Sequence, residues 1–403
     1  MSSTAVGGEV TLDAPTLSPA RRVRLDSVDL LRGLVMVIMA LDHVRDFFTS
    51  ERFDPTDLTR TNAALYFTRW ITHFCAPTFV FLAGTGAFLA GSRGKSRDEL
   101  ARFLVTRGLW LVVLELTLVR FAWAFNLDYA QMLWVQVIWV LGVSMMVLAA
   151  LIYLPLPVIG AFGAAMIATH NLFDGLVPGA LGAWGTLWTF LHVQRPVTMP
   201  WGSDLFVAYP LIPWIGVMAV GYAFGSVLLR PSAERRRVLL RLGGALTAGF
   251  IVLRAINVYG DPRPWTAQSS GLFTALSFLN TTKYPPSLLF LLMTLGLAIA
   301  SLAWFERLSG LVARFLIVFG RVPLFYYVLH LFLIHVAALA VGALAGFPPA
   351  AFFRSIFEMP EGWGYGLPVV YVVWAAVVLG LYPACRWFAG LKARRREVWL
   401  SYL

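Results

Sequence analysis

The chain has 403 residues, of which 59% are hydrophobic and only 13% charged, about half the charged share of a soluble domain. That composition excludes a water-soluble globular enzyme, and the apolar residues come in blocks of roughly 20, enough to cross a bilayer. The net charge of +11 does not point to nucleic acid, because the basic residues sit in short connections between apolar blocks.

In chain order, residues 1–23 are small, polar and Pro-containing and read as a disordered cytoplasmic tail. With no apolar stretch before Arg21, they do not form a signal peptide. Windowing predicts membrane helices near 28–48, 69–91, 100–123, 130–154, 156–172, 205–229, 237–258, 284–305, 322–345 and 366–388. The expected architecture is therefore all-α, a polytopic bundle of about ten transmembrane helices forming one domain over 24–403. With ten spans, the Lys and Arg clusters at Arg21–Arg24, Arg93–Arg107, Arg230–Arg241, Arg307–Arg321 and Lys392–Arg396 all fall on one side. The positive-inside rule makes that side cytoplasmic, with both termini inside. A bacterial inner membrane is the expected location. Cys75 and Cys385 lie inside apolar blocks and imply neither a disulfide framework nor a metal site.

Ionisable residues within membrane helices are costly and mark function by default. The first span carries Asp29, Arg32, Asp42, His43, Arg45 and Asp46. Arg32 and His43 are 11 positions apart, so they share one helix face about 16 Å from one another. His43 suits proton transfer near neutral pH, with Asp42 or Asp46 placed to orient it. Arg32 suits the phosphates of a donor arriving from the cytosol, the alternative being a snorkelling cation. Asp26-x-x-Asp29 suits a helix start.

His73 precedes Pro77, and either lines a site or satisfies a carbonyl freed by the proline kink. Glu115 calls for an ion-pair partner such as Arg120. The outer segments at about 173–204 and 259–283 hold His170, His192 and the interfacial Trp184, Trp188 and Trp201. Lys283 introduces a rigid Lys-Tyr-Pro-Pro-Ser turn and points to the outer interface. Tyr326, Tyr327 and His330 form a polar patch on the ninth span, whereas His335 lies on another face.

Several of these segments resemble a known family. Arg24-Leu-Asp-Ser-Val-Asp-Leu-Leu-Arg32-Gly-Leu and Pro77-Thr-Phe-Val-Phe-Leu-Ala-Gly84 are similar to signatures of the heparan-alpha-glucosaminide N-acetyltransferase catalytic region. Lys283 to Phe290 and Gly320 to His330 look like segments of its bacterial branch, and Arg32-x10-His43 resembles the first-helix motif of membrane O-acyltransferases. The resemblance implies a transferase moving an acetyl group from cytosolic acetyl-CoA to a sugar amine or hydroxyl on the outer side. No metal is implied. His43, Asp42, His73 and His330 are the candidate catalytic residues, with Arg32 and Lys283 as candidate donor-binding residues. The loop at about 49–68 contains no His, so either the imidazole role passes to His43 or the chemistry differs. The expected partners are the lipid bilayer and a glycan or small-molecule acceptor, with a homodimer left open. The rival reading is a permease for a small anion or lipid-linked sugar, but no convincing inverted repeat or pair of broken helices is evident.

Overall fold

The computed structural model describes residues 25–353, 356–395, 397 and 400. The tail at 1–23, together with Arg24 and Arg396 of the charge argument, lies outside the described residues. Each expected apolar block contains a helix. In chain order these are α1 (Asp26–Phe48), α2 (Ala63–Gly91), α3 (Arg97–Leu114), α4 (Val137–Leu151), α5 (Leu156–Phe173) and α6 (Leu211–Leu228). They continue as α7 (Ser232–Ile256), α8 (Leu288–Phe305), α9 (Leu311–Arg321), α10 (Pro323–Leu344) and α11 (Leu367–Arg394). Among the described residues seven helices, α2, α5–α8, α10 and α11, are long and apolar enough to cross a membrane. The protein is thus an integral membrane helix bundle. The count of ten is not established, since α4 has only 15 residues and α1 and α3 carry several charges.

Three segments differ from the sequence reading. The connection before the ninth block contains α9, whose apolar residues recur at helical spacing and whose arginines face outward. The starts of the fourth and sixth blocks are strands instead of helix: β1 (Leu133–Val135) pairs parallel with β3 (Asp204–Val207), and β2 (Arg195–Thr198) pairs antiparallel with β3. These short strands lie just before α4 and α6, where backbone outside a helix needs other partners.

The bundle is built around α1, which is buried along most of its length and packs on α2, α8, α9, α10 and α11. Its closest approach is to α9. A Cβ on Gly33 would stand 1.8 Å from the Leu316 carbonyl oxygen, and one on Gly320 would stand 1.8 Å from that of Asp29. Only glycine permits backbones to meet this closely. At the rim, 17–22% of the apolar window is buried in α5, α7 and α11, against 67% in α6 and α8. The former three therefore turn their apolar faces to lipid.

A buried guanidinium organises the segment between α7 and α8. Arg254 donates to the carbonyls of Phe278, Arg263, Ser277 and Asn280 at 2.8–3.1 Å. Asp261, 3.9 Å from Arg254, accepts from the Thr282 backbone and hydroxyl and from the Ser287 hydroxyl. Ser287 in turn caps α8 by accepting from Phe290 N–H at 3.1 Å. This clamp delivers Lys283 and Tyr284 to the site below.

Candidate active site

The C-terminal end of α1 opens into a cavity of about 560 Å³. His43, Asp42, Arg45 and Asp46 form one wall. Arg69 from α2, Glu115 and Trp123 from the continuation of α3, and Lys283 and Tyr284 from the clamped turn form the others. Gln136, Gln194 and Tyr209, beside the small sheet, close the far side.

His43 is oriented by another histidine. Its Nδ1 lies 2.7 Å from His330 Nε2, and His330 Nδ1 lies 2.9 Å from the Tyr326 carbonyl oxygen. A carbonyl only accepts, so His330 Nδ1 donates, neutral His330 must accept at Nε2, and His43 Nδ1 carries the proton. The lone pair of neutral His43 is thereby placed on Nε2, which has no hydrogen-bond partner among the described residues. Trp123 packs edge-on to the ring at 5.0 Å and limits its rotation.

Asp42 does not orient the imidazole, as sequence reasoning allowed. It pairs with Arg69 across to α2 and with Arg45 at 2.9 Å, while Arg45 also holds Asp46 at 2.5 Å. Arg45, Arg69, Asp42 and Asp46 are thus paired among themselves in the cavity wall. Lys283 also lines the cavity; the residue is 9% exposed, and no carboxylate lies within ion-pair distance of it among the described residues. Its nitrogen stands 5.1 Å from the Tyr284 ring centre. The turn that carries Lys283, fixed by Asp261 next to Arg254, directs it to the cavity.

Two other candidates are not brought to the cavity. Arg32 donates to the Gly320 carbonyl oxygen at 3.1 Å and to Asp29 at 3.3 Å, so it fastens the α1–α9 crossing. Arg32 and His43 do share a face of α1, as their spacing predicts, but not a cavity. That face meets the Gly320–His330 segment along its length, Arg32 at Gly320 and His43 at His330. His73 is buried in the turn Ile71–Phe74 ahead of Pro77, tilted against Phe290, and its Nδ1 has no hydrogen-bond partner.

Glu115 forms no ion pair with Arg120. Its carboxylate accepts from Trp139 N–H at 2.9 Å, capping α4, and Arg120 instead binds the carbonyls of Met132 and Asp128. His335 is held by the carbonyls of Ala122 and Phe352, apart from the cavity. Arg69, Tyr209 and Gln194 were not singled out from the sequence. Of these only Arg69, a charge at the mouth of an apolar span, offered a signal.

Residues 24–256 match the family described as Heparan-alpha-glucosaminide N-acetyltransferase, catalytic. None of the curated proteins matches the chain significantly. The matched region contains α1, α2, the sheet and Arg69, whereas Lys283 and His330 lie beyond its end.

Proposed function

Because the chain belongs to the family of the heparan-alpha-glucosaminide N-acetyltransferase catalytic domain, we propose that it is a membrane acyltransferase taking acetyl groups from acetyl-CoA to a sugar hydroxyl or amine. The observation that carries this reading is the fixed tautomer of His43, whose Nε2 lone pair is left without a protein partner at the wall of a polar cavity. In the reaction, the acceptor gives its proton to His43 Nε2 as its oxygen or nitrogen attacks the thioester carbonyl. The C–S bond then breaks, and the departing thiolate takes the proton back from the imidazolium. The Lys283 ammonium offsets the charge that develops on the carbonyl oxygen.

His330 positions His43, and Asp42 positions Arg45 and Arg69. We assign Arg32 to the helix crossing and donor binding to Lys283. The excess of Lys and Arg in the connections on one side supports a cytosolic location for both chain ends. The cavity then lies toward the outer end of α1, so the acceptor enters it from outside and the acetyl end of a donor from the cytosol must reach Lys283 there.

The test is purified protein in detergent with labelled acetyl-CoA and amino-sugar acceptors. Wild type transfers label, and His43→Ala loses about 10²–10⁴-fold, the usual contribution of a general base. The reading is abandoned if folded wild type neither transfers, hydrolyses nor labels itself, or if His43→Ala matches it. Label retained on His43 would instead identify an acetyl-imidazole route.

A further inference from the structure

A second cluster of histidines lies away from the cavity, where α5 ends and the outer segment folds back. His170 and His192 are 1% and 2% exposed. His170 Nδ1 lies 3.3 Å from His192 Nε2, and Asp174 Oδ1 lies 3.7 Å from the same His192 nitrogen. All three ligand atoms fall within 4.8 Å of one another. We propose that His170, Asp174 and His192 bind a divalent first-row transition metal, with Zn²⁺ the ion that two imidazoles and a carboxylate suit best.

The geometry supports this directly. In a tetrahedral zinc site with bonds of about 2.0–2.1 Å, ligand atoms are separated by about 3.3–3.4 Å. The two nitrogens already stand at that separation. His192 Nε2 also lies 2.9 Å from the His170 carbonyl oxygen, so metal binding must displace the proton it shares with that carbonyl and draw the Asp174 carboxylate inward. The surroundings fix the ligands, as second shells do. Asn171 donates to Asp174 Oδ2 at 2.8 Å, leaving Oδ1 directed at His192. Asn171 is itself held by Leu288 N–H on its oxygen. Trp188 stacks on the His192 ring at 4.9 Å and 6°, and its indole N–H is tied to the Leu176 carbonyl.

The ion would act as a clip. It joins the end of α5 to the helix Gly185–His192, two residues before Gln194 in the cavity wall. The site stands independently of the acyltransferase reading, since none of its three residues lines that cavity.

The experiment uses full-length, tag-free protein in detergent, stripped with EDTA and titrated with Zn²⁺ by calorimetry and with Co²⁺ by visible absorption. We expect about one equivalent bound, Co²⁺ bands of low-symmetry coordination, and a Tm that rises with Zn²⁺. Asp174→Asn should weaken binding by at least the roughly 10–100-fold that losing a mere second-shell partner costs. His170→Gln/His192→Gln should abolish it. The proposal is overturned if stripped wild type shows no saturable uptake, or if Asp174→Asn binds as tightly as wild type. The Asp174→Asn comparison stands even if the double variant fails to fold.

Discussion

Lys283, a residue only 9% exposed, turns its ammonium to the cavity with no carboxylate within ion-pair distance among the described residues. Removing a charge from water costs several kcal/mol even after relaxation, and the Tyr284 ring at 5.1 Å and the more distant Asp42 offset it only in part. That cost makes sense if a ligand supplies the missing negative charge. Lys283→Met therefore separates function from stability. Tm holds or rises, while kcat/KM for acyl-CoA falls about tenfold to hundredfold, the worth of one hydrogen bond to a charged group. A fall in Tm with unchanged kinetics would assign Lys283 to structure alone. At this scale the sequence was only half legible. His43 stood out because an imidazole in a membrane span is expensive. Its partner could not be read, since His330 reaches it from 287 positions away and Asp42 offered a nearer alternative. Arg32 looked like a ligand-binding cation because helical spacing gives the face a residue lies on, but not what faces it.

Among the helices, the contact between α1 and α9 is set by two glycines. Each offers the other helix a backbone surface that a methyl group would penetrate. Gly320→Ala forces the pair apart and stretches the Arg32 hydrogen bond to the Gly320 carbonyl. Overpacking of this kind costs about 1–3 kcal/mol. Gly86→Ala in α2 is the matched control: no atom lies within 4 Å of the added methyl, so it should stabilise by about 0.5–1 kcal/mol. Thermal unfolding of both variants in one detergent checks the opposite signs, and equal shifts would mean that the crossing is not tight. The ten apolar blocks were legible because bilayer length imposes itself on composition. α9 was missed because an amphipathic stretch of 11 residues falls below any membrane window. The strands were missed because Leu133–Val135 and Asp204–Val207 are apolar runs continuous with helices, and their pairing is a long-range property.

Across the whole molecule, the bundle is held at its centre by α1, while the long connections between helices are shaped by buried polar clamps. Arg254 is the strongest of these. Its side chain is 1% exposed and gathers four carbonyls from the segment before α8, and Asp261 beside it fixes the Thr282–Ser287 turn. Truncating Arg254 would leave those carbonyls without their donor and the Asp261 carboxylate without the cation beside it. Loss of one partner from a buried ionic network costs about 3–5 kcal/mol. Arg254→Met should therefore lower thermal stability by that order and carry Lys283 out of the cavity, weakening donor binding without touching His43. Arg254→Lys, with one point charge for several directed donors, should fall between the two. The readouts are unfolding in detergent and the KM for acetyl-CoA, measured at a temperature where both variants are folded. If Arg254→Met is destabilised while its KM stays at the wild-type value, Lys283 is positioned by something other than the clamp. The bundle and the cavity would then be mechanically separate parts of the molecule.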